Sequence, residues 1–590
     1  MQTRSFFRSL SNSLRNFLLL MSFCIIENCH GGTGLFFDIS ATVTNNPLNI
    51  KLALDGRGPL SCQNYTLNGL SLIINTTIPN HTYSSAGIKI DNPGYRVAGL
   101  SPTKNGYYLF SVSDTSPANI LIIPPNPPWY PSLEAFEHYN SGRSHVFPEA
   151  TFGGTYSGSN TVDVLSSPIV YPSGYNMAYL DSNNIFIYGG GYGDVAGSIG
   201  AFVAKVDPTT LAPSWYNQLI NTSINGEWDY PGSMGILQDG FIYVSYGYRL
   251  AKLNKNGAII DTLILPTGDA EPQNTSFNGF NATPDGIIVM KSVYRQAGCS
   301  IQGPDALLSC PDPSDVPSSI LISVNPKTMQ VIDNITLPAP VGARPTISTF
   351  NGKNYVYLLE PTTAIRYEVN EGKFILDNAW NPGTITLSGQ TLCTSFVVIN
   401  DWVVAQTNTL PASTALDVIA INQGDASKLY KLQPFAGDPI PPLVADAFST
   451  QGPGGVPAIS WAPMSVSADP ENNLIYASDS LPGKIAAITI TSGGLETVWK
   501  ADQTTTEFTT LIGPQANRVI VGTDIPGPEI PGNNTNDFAV WRNAATGEEL
   551  ARSPLLPAMT QGTMIQPYYN GDMFFEGQSG ILIKLMPRPL

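Results

Sequence analysis

Ala201-Phe-Val-Ala-Lys-Val-Asp207-Pro-Thr-Thr, Arg249-Leu-Ala-Lys-Leu-Asn254-Lys-Asn-Gly, Ser319-Ile-Leu-Ile-Ser-Val-Asn325-Pro-Lys-Thr and Phe538-Ala-Val-Trp-Arg-Asn543-Ala-Ala-Thr-Gly are copies of one pattern. Each is a short apolar strand that ends on Asp or Asn and runs into a polar turn. The unit around it repeats eight times from about residue 175 onward: turn, strand, gap, strand ending in Asp or Asn, turn, last strand. Repetition of strand-only units at this period specifies a β-propeller, in which each unit buries its faces against its neighbours. The expected blades are 175–220, 233–266, 278–338, 346–380, 392–435, 463–501, 508–556 and 563–590. Seven blades is the alternative. The last unit has three strands. The apolar run Val162–Val170, which belongs to no unit, is expected to supply its fourth and so close the propeller of residues 151–590.

The composition agrees. Charged residues make up 13% of the chain, about half the usual share, while Gly (54) and Pro (49) are plentiful. Such a chain favours short strands and tight turns over helices. The net charge of −16 makes nucleic acid and anionic lipid poor partners, because binding phosphate needs a basic surface.

The N-terminus reads as an export signal over residues 1–33. Arg4, Arg8 and Arg15 precede the apolar run Phe17–Ile26, which is too short to span a bilayer comfortably, and small residues follow at Gly31, Gly32 and Gly34. A periplasmic or extracellular protein is expected, with no integral membrane segment after the signal. Of six cysteines, Cys24 and Cys29 fall within the signal. Cys299 and Cys310 flank one loop and read as a disulfide, with about 2–3 kcal/mol from closing so short a loop. Cys62 and Cys393 are left without partners.

Residues 35–122 form a separate module whose strand-like runs recur about every ten residues, an immunoglobulin-like β-sandwich in size. Residues 123–150 read as a linker, stiffened by Pro124-Pro-Asn-Pro-Pro-Trp-Tyr-Pro131. Two of the four histidines, His138 and His145, lie here, and none follows. A Ser-His-Asp site built within the ring is therefore excluded.

Candidate site residues come from the ends of the second strands, on the expectation that these ends converge on the channel. Four of them are acidic: Glu360, Asp479, Asp524 and Glu576. Lys291 and Arg295 add cations. Such carboxylates could hold Ca²⁺ through hard oxygen ligands, or simply face a water-filled channel. Asp479 and Asp524 are the weak candidates for a catalytic base. The loop Glu227-Trp-Asp-Tyr-Pro-Gly232 is aromatic and acidic, suited to a sugar- or partner-binding lip or to packing between blades.

Resemblances add expectations. Leu60-Ser-Cys-Gln-Asn-Tyr-Thr, Ile74-Asn-Thr-Thr-Ile-Pro-Asn-His-Thr-Tyr83 and Asn105-Gly-Tyr-Tyr-Leu-Phe-Ser-Val-Ser113 resemble an N-terminal module of exported proteins in Legionella-type bacteria. That resemblance implies export, not activity. Trp541-Arg-Asn-Ala-Ala-Thr-Gly547 and Val324-Asn-Pro-Lys-Thr-Met resemble quinoprotein-dehydrogenase-type or YVTN-type repeats. Ser276-Phe-Asn278-Gly-Phe-Asn281-Ala-Thr-Pro-Asp285-Gly and Ser465-Val-Ser-Ala-Asp469-Pro-Glu-Asn-Asn resemble gluconolactonase-like repeats. This last resemblance nominates Asn278 with Asp479 as metal ligands. The expected function is a non-catalytic, exported propeller binding a small molecule or a protein at its channel mouth. The alternative is a metal-dependent lactone or ester hydrolase, or a quinone-dependent sugar or alcohol dehydrogenase.

Overall fold

The computed structural model describes residues 37–54, 64–76, 82–90, 94–113, 118–156, 160–190, 200–222, 226–294, 317–388, 390–392, 395–409, 415–449, 465–527, 529–531 and 534–590. The expected signal over residues 1–33, Cys62, Arg295, Cys299, Cys310 and Cys393 lie outside them. The chain divides into two compact units, residues 1–125 and 126–590. Among the described residues no helix is long and apolar enough to cross a membrane.

Where the sequence suggested an Ig-like sandwich, the described residues of the first unit form one six-stranded antiparallel sheet. Its order is Arg96–Val97, Ala118–Ile123, Asn64–Thr76, Phe37–Leu54, Thr82–Ile90, Tyr108–Ser113. The long strand Phe37–Leu54 shifts register between Thr42 and Pro47, a bulge where the missing N–H of Pro47 does least harm.

The second unit is an eight-bladed propeller, which removes the seven-blade alternative. Blades one to seven start on the inner strands Gly174–Asp181, Ser233–Ile236, Thr275–Ala282, Thr346–Phe350, Val397–Ile399, Ser467–Asp469 and Thr510–Ile512. Blade eight contains Gln566–Pro567, Met573–Glu576 and Ile581–Pro589. Its fourth strand, Asn160–Val170, lies antiparallel to Ile581–Pro589, from Ile581 opposite Val170 to Pro589 opposite Asn160. The apolar run ahead of blade one thus shares a sheet with the last strand of the chain.

The repeated Asp or Asn has a physical role. Asp207 Oδ1 accepts from the backbone N–H of Thr209 and Thr210, both at 2.9 Å. Asn254, Asn325, Asn422 and Asn543 each accept from the N–H two residues on, at 2.9 Å. These Asx turns join third strand to fourth in blade after blade. Tryptophans then seal blade to blade: Trp215 Nε1 donates to Lys255 O in blade two (3.3 Å), and Trp499 Nε1 to Ala544 O in blade seven (3.0 Å). Gly547, at φ 76°, lies under Trp499, and a Cβ there would stand 2.7 Å from the indole. Gly547→Ala should cost about 1–2 kcal/mol from backbone strain alone, before the tryptophan shifts. Gly286→Ala, at φ 91° with open space around it, should cost less. Paired thermal melts check the order.

The expected linker is corrected from Asn126 onward, because this segment belongs to the propeller unit. Trp129, Leu133, Phe136, His145 and Phe147 are all at most 1% exposed. Proline suggested an extended spacer, but the apolar side chains between the prolines need a core, and the channel provides it.

Candidate functional site

Backbone hydrogen bonds lead the segment 126–147 around the channel blade by blade. Glu134 O accepts from Tyr179 N in blade one (2.6 Å), and Ala135 O from Ile236 N in blade two (2.8 Å). Ser141 Oγ donates to Ala282 O in blade three (2.7 Å), while Ser141 O accepts from Ile347 N in blade four (2.9 Å). Gly142 O, Ser144 O and His145 O accept from Val398 N, Ala468 N and Leu511 N in blades five, six and seven, at 2.8, 3.0 and 2.8 Å. Glu134 Oε1 accepts from Gln566 Nε2 in blade eight (2.5 Å). Val146–Phe147 adds a parallel strand inside blade seven. Trp129 stacks on Phe136 with ring centres 3.9 Å apart and planes within 4°. The channel is plugged by the chain itself.

The plug carries a buried polar cluster. Glu137 pairs with Arg344 in a short contact, lies 3.0 Å from His138 Nε2 and 3.9 Å from Arg143 Nη1. Arg143 also donates through Nη2 to His138 in a short hydrogen bond. His145 Nδ1 meets Ser467 Oγ at 2.9 Å, and the His138 and His145 rings lie 4.7 Å apart with Phe508 edge-on to both. Tyr139, Arg143 and His145 all hold positive φ (70°, 58° and 62°), uncommon for residues with a Cβ.

Burial sets the charges. It would raise Glu137, but Arg344, His138 and Arg143 outweigh it and hold this carboxyl well below its usual range. Burial likewise opposes Arg344, where Glu137 wins and raises it. Burial, with Arg143 beside it, pushes His138 down to about 3. It lowers Arg143 to about 9, leaving a cation at neutral pH, and carries His145 well below its ordinary value. Burial raises Glu507 to about 8, so this acid keeps its proton at neutral pH.

Antiparallel pairing puts the starts of inner strands and the ends of second strands at one end of the ring, as Ser233 opposite Ser245 and Thr275 opposite Tyr294 show. At this end Arg344 Nη2 donates to Tyr175 Oη (2.9 Å) and Gly232 O (2.8 Å), and its guanidinium sits 5.0 Å from the half-buried Tyr175 ring.

The acidic residues singled out in the sequence close second strands of four different blades, one strand out from the channel. In each blade the inner strand lies one strand inward of these ends, and Glu576 still acts on Glu134 of the plug. Glu360 is raised by burial. Asp479 accepts from Leu481 N (3.0 Å) and is raised by burial to about 6. Asp524 pairs with Arg552 at 2.7 Å beside a cavity of about 650 Å³ that Gln503 and Arg542 also line. Glu576 is buried without a partner for either oxygen, and burial pushes it up to about 8. Lys291 is buried and donates to Val341 O (2.6 Å) and Gly342 O (2.8 Å). Asn278 donates to the same Gly342 O (3.0 Å). These two residues therefore fasten the loop that presents Arg344. Among the described residues no three of His, Cys, Asp and Glu come together as a metal-holding group. The lip residue Glu227 forms a salt bridge with Arg249 at 2.6 Å, and Asp229 accepts from Ala201 N and Gly247 N.

Sequence reasoning missed Glu137, Arg143 and Arg344. One signal was available: Glu134, Glu137, His138, Arg143 and His145 crowd into twelve residues of a chain otherwise poor in charge.

No family model and no curated protein matches this sequence. Solved structures are similar in fold. The quinohemoprotein alcohol dehydrogenase of Comamonas testosteroni is 10% identical, with a TM-score of 0.48 over 76% of this chain and 80% of that one. BamB of Moraxella catarrhalis is 10% identical, with a TM-score of 0.40 over 70% and 99%. Sqt1 of Saccharomyces cerevisiae is 9% identical, with a TM-score of 0.44 over 72% and 99%. At this distance they share the propeller alone.

Proposed function

We propose that this protein is an exported, non-catalytic binding propeller that takes a small ligand at the end of the ring where the inner strands begin. The plug carries the reading. With residues 126–147 bonded to every blade, the ring is a cup with a fixed floor instead of an open tube. Tyr175 offers a half-buried aromatic face above that floor, and Arg344 beside it is held by Glu137 and by Gly232 O. An aromatic face next to a fixed cation suits a small molecule with a flat or apolar body and a polar group. Export is supported by Arg4, Arg8 and Arg15 ahead of Phe17–Ile26.

A thermal-shift panel of small sugars, alcohols and carboxylic acids on the full chain tests this. The expected result is a stabilising compound whose effect disappears in Tyr175→Ala. A Ca²⁺-dependent shift that disappears in Asp479→Ala, together with ester hydrolysis, would overturn the reading in favour of a hydrolase.

A further inference from the structure

Away from the plug, a cavity of about 650 Å³ opens between blades six and seven. Asp502, the last residue of the fourth strand of blade six, makes one wall with Gln503 and Thr504. Asp524, Phe538, Arg542, Glu549 and Arg552, from the second, third and fourth strands of blade seven, make the other. Antiparallel pairing sets these five on one face, with Asp524 opposite Phe538 and Arg542 opposite Glu549.

The walls are fixed by their own hydrogen bonds. Arg542, 6% exposed, donates through Nε to Gln503 Oε1 (2.7 Å), through Nη2 to Asp502 O (2.8 Å) and through Nη1 to Gly547 O (3.1 Å). Arg552 holds Glu549 in a fork, Nε to Oε1 and Nη2 to Oε2, each 2.8 Å, and gives Nη1 to Asp524 Oδ2 (2.7 Å). Asp524 Oδ1 accepts from Thr504 N (2.8 Å). Every oxygen of the two carboxylates thus has a donor and keeps room to accept once more.

Charge selects the occupant. Two guanidiniums answer two carboxylates, and Asp502 at the rim pairs with Lys484. An anion would face the carboxylates, and a cation the guanidiniums. A neutral molecule with adjacent hydroxyls meets fixed acceptors and no opposing charge. The half-buried Phe538 ring and Pro526 offer apolar surface to its carbon skeleton. Partners set in advance lower the ordering cost of binding.

We propose that this cavity is a site for a sugar ring. Asp524 and Glu549 accept its hydroxyls, and Arg552 is a positioning residue that aims both carboxylates. The site is separate from the ligand position at Tyr175, so either can fail without the other.

The probes are glucose and galactose, titrated into the full chain by calorimetry. At least one should bind, with a dissociation constant that rises at least tenfold in Arg552→Gln and in Glu549→Gln. Melting temperatures should stay within about 2 °C of the parent, because part-exposed ion pairs add little to folding. Should one variant fail to fold, the other is read. Maltose and lactose distinguish the source: a lower constant than for the hexose assigns the end of a glycan chain, and equal constants assign the free sugar. No binding of either hexose would overturn the proposal, as would a constant unchanged in either variant. Binding lost in Tyr175→Ala but kept in Arg552→Gln would place the sugar at the other position and equally overturn it.

Discussion

Glu137→Gln should lower the stability of the propeller by about 3–5 kcal/mol, the cost of stranding a buried charge by removing its partner. Glu137 is 4% exposed and contacts Arg344, His138 and Arg143 together. Without its charge, two guanidiniums face each other in a channel from which water is excluded. The loss is a large fraction of an ordinary stability of about 5–15 kcal/mol. A urea titration followed by tryptophan fluorescence should show a lower midpoint with an unchanged slope. The double variant Glu137→Gln/Arg344→Met should recover part of the loss, because it removes one of the two stranded cations. A single variant within 1 kcal/mol of the parent would mean that Glu137 is not the charge that holds the plug.

Stability should peak in mildly acidic solution and fall as the pH rises to 8. Burial raises eight carboxyls: Asp479 to about 6, Glu149, Asp229 and Asp537 to about 7, Glu507 and Glu576 to about 8, and Glu134 and Glu360 in the same direction. Each binds its proton more tightly folded than unfolded. The stability each contributes is complete below the unfolded value, near pH 4, and is lost as pH climbs to the folded value. His138, lowered by burial to about 3, and His145, lowered in the same way, act oppositely and lose stability as pH falls below about 6.5. Between pH 4.5 and 6.5 eight groups oppose two, so the carboxyls set the sign. The fall toward pH 8 should amount to several kcal/mol, at about 1.4 kcal/mol per group per pH unit, an order-of-magnitude figure. Melting temperatures from pH 4.5 to 8.5 check it. Glu507→Gln/Glu576→Gln should flatten the upper limb, and a profile that rises from pH 5 to 8 would contradict the assignment.

The blades were legible because their information is local. Asp207, Asn254, Asn325 and Asn543 each organise a turn within a few residues, and repetition makes a weak local signal decisive. The plug was not legible in the same way. Glu134 meets Gln566, and His145 meets Ser467, with no repeat to announce either pairing. Pro124–Pro131 argued locally for an extended spacer, while Trp129 and Phe136 argued for burial only once a hollow of the right width existed. The candidate acids close second strands at the end of the ring where the inner strands begin, and Glu576 alone of the four acts on the plug through Glu134. First and second strands such as Thr275–Ala282 and Ile288–Tyr294 are both buried throughout, and apolar pattern alone does not say which of two buried strands is innermost.

The pairing of residues 160–170 with 581–589 sets a timetable for assembly. On the ribosome, the plug and this strand emerge before any blade exists, yet their partners include Leu511, Gln566 and the final strand. The strand stays unpaired until residue 589 has been made, and the plug gains its partners one by one from Tyr179 to Gln566. Lacing of the ring is therefore a late event with very long loop closures, slow by its topology and exposed to strand-edge mispairing while it lasts. A chaperone that shields residues 126–170 would speed folding more than one acting on any blade.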